Sequence, residues 1–86
     1  MIKVLFFGQL REILQTDNLE LDINKLGNQP VSVAQLRGFL QAKNELWKEY
    51  LCASRSLVAV NQTMASDTSL IAGDDEVALF PPVTGG

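Results

Sequence analysis

Ser32-Val33-Ala34-Gln35-Leu36-Arg37-Gly38-Phe39-Leu40-Gln41-Ala42-Lys43 carries two helix signals at once. Ser32 followed by Gln35 is a capping-box pattern, in which each side chain reaches the other residue's backbone N–H. Val33, Leu36 and Leu40 then recur at helical spacing, with Phe39 alongside. The spacing predicts the main helix over residues 33–43, with an apolar face that has to pack on a sheet.

That sheet is legible on both sides of the helix. Ile2-Lys-Val-Leu-Phe-Phe-Gly8 is rich in β-branched and aromatic residues and reads as a first strand. Its alternation places Ile2, Val4 and Phe6 on one face and Lys3, Leu5 and Phe7 on the other. Gln9 to Leu14 fits a short helical turn ending at the Asp17-Asn18 break, and Leu19 to Ile23 alternates as a half-buried second strand. Asn24 to Gln29, with Gly27 and Pro30 beside it, reads as a loop. Glu45 to Cys52 reads as a second helix after an Asn44 cap, Leu57 to Val60 as a buried strand, and Asn61-Gln62-Thr63 as a turn. A further turn, Ala72-Gly-Asp-Asp75, launches the last strand, Glu76 to Phe80.

The order strand, strand, helix, strands predicts an α+β domain with helices collected on one face of a mixed sheet. The helical segment between the second and third strands is long enough for a crossover that returns the chain in the same direction. If the first and last strands lie side by side, Leu5 and Phe7 share the helix-free face with Ala78 and Phe80. Either a loop of the chain or a partner protein is expected to cover so apolar a patch.

The 86 residues form one domain, 1–86, too small to bury a deep active-site cleft within its own core. No apolar run approaches the roughly 18 residues that span a bilayer, and Met1-Ile2-Lys3 leads straight into a strand without a targeting pattern. A cytoplasmic location is the expectation, without membrane association. Ten acidic residues against seven basic ones give a net charge of −3, and the basic residues are scattered. Without a positive stripe for a phosphate backbone, no nucleic-acid partner is expected. The chain has no histidine and a single cysteine, Cys52. An internal disulfide is therefore impossible, no metal site is expected, and the commonest general base is missing. Cys52, in an apolar helical stretch, is expected to be a small buried hydrophobe, and Trp47 and Tyr50 are expected to pack the helix.

Chemistry is left to the backbone terminus or to a partner. The chain ends Leu79-Phe-Pro-Pro-Val-Thr-Gly-Gly86. Pro81 and Pro82 fix φ near the polyproline value, so the tail, residues 81–86, is expected to leave the domain extended. Four extended residues beyond Pro82 project the carboxylate about 13 Å, far enough to reach another protein's active site. Gly85 and Gly86 leave that carboxylate unhindered and its approach narrow. A Gly-Gly end alone is also what an ordinary frayed terminus looks like; the Phe-Pro-Pro-Val lead-in favours a presented tail.

Val4-Leu-Phe-Phe-Gly-Gln-Leu-Arg-Glu12, Val58-Ala-Val-Asn-Gln62 and the run from Gly73 to Gly86 together resemble the small, sulfur-carrying subunits of molybdopterin synthase. The resemblance spans nearly the whole chain, and its tail is the specific part. It implies a ubiquitin-like β-grasp fold and a role as cosubstrate, with no cofactor bound by the carrier itself. In that family an ATP-using, ubiquitin-activating-type adenylyltransferase activates the terminal glycine, and a sulfur donor enzyme converts the adenylate to a thiocarboxylate. The large synthase subunit then takes the tail, and sulfur passes to a cyclic pterin phosphate precursor to build the dithiolene that binds molybdenum. Carriers sit at each end of a central dimer of large subunits.

Carried over residue by residue, Gly86 is the acyl and sulfur carrier. Pro81, Pro82, Val83, Thr84 and Gly85 form the tail in the partner's channel. Phe7 and Phe80 are apolar anchors, and Arg11 fixes register at the interface. Asp74, Asp75 and Glu76 fit either register-setting charges or a solvated turn, and Asn61 fits the family pattern or a turn. Rival readings use the same terminus differently: a β-grasp carrier for thiamine or tRNA thiolation, a ubiquitin-like protein modifier, or an interaction module whose Gly-Gly has no chemistry.

Overall fold

A computed structural model describes residues 1–82. The main helix, α2 (Val33–Gln41), starts where the capping box places it. Gln35 Oε1 accepts the Ser32 N–H at 2.9 Å, and Ser32 Oγ accepts the Gln35 N–H at 3.3 Å. Val33, Leu36 and Leu40 are buried, whereas Phe39 is 40% exposed and stands outside the core. The helix ends two residues before the expected Lys43.

Five strands form the main sheet in the order β2-β1-β7-β4-β5. They are β1 (Ile2–Phe6), β2 (Asn18–Leu21), β4 (Leu57–Val60), β5 (Thr63–Ala65) and β7 (Glu76–Phe80). β1 pairs antiparallel with β2 and parallel with β7, and β4 pairs antiparallel with both β7 and β5. The expected mixed sheet of an α+β, ubiquitin-like β-grasp fold is therefore present. α1 (Gly8–Leu14), α2 and α3 (Glu45–Tyr50) supply the helical layer. Ile2, Val4 and Phe6 of β1 and Val77 and Leu79 of β7 are buried in one cluster with Leu10, Leu36, Leu40 and Trp47 from the helices. The Phe6 and Trp47 rings meet edge to face with centroids 5.3 Å apart, a geometry that adds about 1 kcal/mol to their burial.

Several short elements depart from the sequence expectation. The second strand stops at Leu21, because Ile23–Leu26 forms a 3-10 helix whose first turn is capped by Asp22, Oδ1 accepting the Asn24 N–H at 3.0 Å. Ile23 and Leu26 still reach the core. The segment read as a loop thus contributes a helical turn and then β3 (Val31–Ser32), which pairs with β6 (Leu70–Ile71) in a small second sheet. Asn61 and Gln62 both take positive φ, 50° and 68°, making a two-residue turn, so Thr63 begins β5 instead of closing the loop.

Arg37 is the one buried cation among the described residues. Its Nε donates to Asp67 Oδ1 at 2.9 Å, one terminal nitrogen donates to the Leu51 carbonyl at 3.0 Å and to Ser56 Oγ, and the other donates to the Ser56 carbonyl at 3.2 Å. One guanidinium thereby ties α2 to the turn after α3 and to the loop between β5 and β6. No buried side-chain nitrogen or oxygen among the described residues lacks a partner.

Cys52 is half-buried, not the enclosed hydrophobe expected, because α3 ends at Tyr50 and the following turn carries the side chain outward. Its Sγ lies 3.2 Å from Ser54 Oγ. The Ser54 hydroxyl bond holds the thiol below its usual range against the opposing effect of desolvation, with the neighbouring backbone N–H groups and the Arg55 charge acting the same way as Ser54.

Two measurements check these contacts. Arg37→Ala is expected to lower the unfolding free energy by about 2 to 4 kcal/mol in urea titrations, since it strands several buried acceptors. Asp67→Asn costs less, because its side chain is partly solvated and the other guanidinium bonds persist. The thiolate is the reactive form, so alkylation of Cys52 by iodoacetamide should reach half its plateau rate at a lower pH than in the Ser54→Ala variant, which lacks the hydroxyl bond.

Candidate functional site

Leu5 and Phe7 of the amino-terminal strand region and Ala78 and Phe80 of β7 do share the face of the sheet opposite the helices. Leu5 stands opposite Ala78, which stands opposite Ala59, which stands opposite Met64, so one row of apolar side chains crosses four strands. Phe80 stands opposite Leu57 in the next row. Phe7 lies one residue past β1, where its N–H donates to the Leu79 carbonyl at 3.0 Å and continues the ladder. Phe7 is 46% exposed and Met64 61% exposed, while Leu5, Leu57, Ala78 and Phe80 are half-buried. The outer residues of the patch thus remain open to solvent.

The root of the tail adjoins this patch. Pro81 is half-buried and Pro82 exposed. Gly8, between the end of β1 and the body of α1, has φ +59°, and a Cβ placed on it would stand 3.4 Å from Pro81 Cγ and 3.5 Å from its Cδ. The Pro81 ring therefore rests on the β1–α1 turn, which seats the chain directly after β7. Gly8 was not among the expected site residues. Its signal was a glycine at the junction of a strand and a helix, where a left-handed turn favours it. Val83, Thr84, Gly85 and Gly86 lie outside the described residues.

Arg11, on α1, is exposed and sits 3.9 Å from the equally exposed Asp17, a pairing that leaves its charge available to solvent. No bond joins Arg11 to Phe7 or Phe80. The acidic run is a hydrogen-bonded turn. Asp75 accepts the Ala72 N–H at 2.8 Å and the Asn61 side-chain N–H at 3.0 Å, and the N-terminal ammonium lies 3.4 Å from Asp74. Asn61 also accepts the Glu76 N–H at 3.0 Å, so beyond forming its own turn it pins the start of β7.

Among the described residues no three His, Cys, Asp or Glu side chains gather as a metal site. No helix of the described residues is long and apolar enough to cross a membrane. The arrangement offers an exposed apolar face beside a seated Pro81.

The family model described as "ThiS family" matches residues 4–86. The molybdopterin synthase sulfur carrier subunit of Escherichia coli K12 is 44% identical over 86 residues, covering all of both chains. That of Haemophilus influenzae is 37% identical over the same span, again covering both completely. Among solved structures, the complex of subunits 1 and 2 of the molybdopterin-converting factor from Helicobacter pylori 26695 contains a chain that superposes with a TM-score of 0.67 at 26% identity, covering 99% of this chain and 97% of that one. SAMP1 from Haloferax volcanii superposes with a TM-score of 0.76 at 22% identity, covering 99% and 98%, which speaks for the fold alone. With the model match running from Val4 to the last residue and two relatives aligned end to end, the chain belongs to the ThiS family.

Proposed function

We propose that this chain is the sulfur carrier of a molybdopterin synthase and that the carboxylate of Gly86 is its reacting group. The observation that carries the reading is the end-to-end match, at 44% identity, to a carrier subunit of that name. The open apolar face beside the seated Pro81 gives it a physical basis.

A carboxylate is anionic at neutral pH and a poor electrophile. Activation by the ubiquitin-activating-type adenylyltransferase solves this: a Gly86 carboxylate oxygen attacks the α-phosphorus of ATP, pyrophosphate leaves, and an acyl adenylate remains. Sulfur from a donor enzyme then attacks the carbonyl carbon and expels AMP, leaving a thiocarboxylate. That group carries a soft, anionic sulfur, as a thiolate does, and enters the large synthase subunit, where sulfur passes to the cyclic pterin phosphate precursor. Glycine at the reacting centre adds no steric cost at either step.

Pro81, Pro82, Val83, Thr84 and Gly85 guide the terminus into the partner's channel. Phe7 and Phe80 anchor the apolar face, as aromatic residues commonly do at interfaces, and Arg11 contributes an exposed charge that selects orientation.

Three experiments test the reading. Intact-mass measurement after incubation with the activating enzyme, ATP and a sulfur source should show one oxygen-to-sulfur exchange confined to Gly86; an unchanged mass where a known carrier is modified refutes it. Deleting Gly86 should abolish loading while leaving the fold intact. Phe7→Asp should weaken binding to the large subunit at least about tenfold. Its stability should hold, because Phe7 is the N-cap of α1 and aspartate is a favoured residue there.

A further inference from the structure

Pro81 and Pro82 have two sides. One adjoins the open sheet face; the other forms a wall of a groove of about 270 Å³ in the helical layer, together with Leu10 and Ile13 of α1 and with Tyr50 and Arg55. Leu10 closes the floor, buried to 1% exposure, and Ile13 and Tyr50 are half-buried. The Arg55 guanidinium carbon lies 5.3 Å from the centre of the Tyr50 ring, which supports the cation at the groove's rim. Arg55 is exposed, and among the described residues no carboxylate lies within 4.0 Å of it. The groove therefore joins an apolar floor to an exposed guanidinium, beside the two prolines from which the tail departs.

We infer that this groove receives an element of the large synthase subunit that presents an aliphatic or aromatic side chain beside a carboxylate. The apolar side chain fills the space between Ile13 and Pro81, and the carboxylate meets Arg55. The inference rests on the proposed function, and two observations point to this occupant. Charge complementarity is the first: in a chain of net charge −3, Arg55 is a local cation with a planar fork suited to a carboxylate. Continuity is the second. A protein that encloses the tail on leaving Pro82 has to pass over both flanks of the diproline, and the large subunit is the partner that holds the tail during sulfur transfer. Contact with the sheet face alone fixes one flank. Filling the groove fixes the other, so that the tail is aimed by a two-sided grip.

The test is titration calorimetry of the full-length carrier with the large subunit, using Arg55→Glu, Arg55→Lys and wild type. Arg55→Glu is expected to weaken binding about tenfold or more, and Arg55→Lys by much less, with unchanged thermal unfolding because Arg55 is exposed. The affinity of wild type should also fall more steeply with salt than that of a third variant, Arg55→Gln, titrated in the same way. Unaltered binding by Arg55→Glu overturns the inference, as does weakening confined to the activating enzyme. So does a shift of the Arg55 Nε resonance in the free carrier when Gly85 and Gly86 are removed, which would identify the chain's own terminus as the occupant. If wild type binds the large subunit and acquires sulfur while Arg55→Glu does the same, the groove assignment fails and the carrier function stands. If wild type is never loaded, the function itself fails.

Discussion

Val4 stands beside Val77 and Phe6 beside Leu79 in the parallel ladder between β1 and β7, and the placement of the tail depends on that pairing. A parallel neighbour cannot be reached by a tight turn, so the chain crosses the helical face between β2 and β4 before β7 returns beside β1. The ladder brings the first and last strands together at the centre of the sheet. It sets Gly8 against Pro81 and continues through the Phe7 N–H to the Leu79 carbonyl. A chain paired in any other register would leave the diproline over a different turn, with its glycine out of place.

The layer that makes this pairing possible is held by two different kinds of contact. Apolar burial joins Phe6 and Leu79 to Trp47 and Leu10 and is tolerant of small shifts. Arg37 adds directionality, since its donors reach one carboxylate, one hydroxyl and two carbonyls on separate segments. Burying a guanidinium is costly unless its donors are occupied, and here Asp67, the Ser56 hydroxyl and two backbone carbonyls accept from them. Through Leu51 and Ser56 the same side chain braces the turn that carries Cys52, Ser54 and Arg55. The rim of the groove beside the tail is thus connected to the interior of α2.

The long, strongly periodic elements were legible in the sequence because each one repeats its signal: Val33, Leu36 and Leu40 in α2, and the alternation of Ile2, Val4 and Phe6 in β1. β3 and β6, each of two residues, carry too little pattern to be read, and their pairing depends on elements distant in sequence. Arg37 was readable in principle. It lies four residues after Val33 and three before Leu40, on the apolar stripe, where a charge signals a buried network more than a solvated face. Phe39, read alongside that stripe, is apolar but 40% exposed. At the site, the aromatic face and the diproline were visible as local composition. The seat of Pro81 on Gly8 and the groove beside Tyr50 were not, since each is created by residues more than twenty positions apart that only the tertiary fold brings together.

Under the proposed function, a domain this small gains by keeping its reacting group out of its own core. A core of this size has no volume to spare for a water-excluded pocket, and a buried charge inside it requires a network as complete as that around Arg37. The reacting carboxylate proposed at Gly86 would avoid that cost and leave the partner to supply the dry environment and the catalytic groups. The fold then has two tasks: to keep β7 central in the sheet, and to offer surfaces on either side of Pro81 and Pro82. Parallel pairing with β1 meets the first. For the second, the diproline stands at the seam between the sheet face and the helical groove, the one place where a partner can hold both flanks of the same two residues.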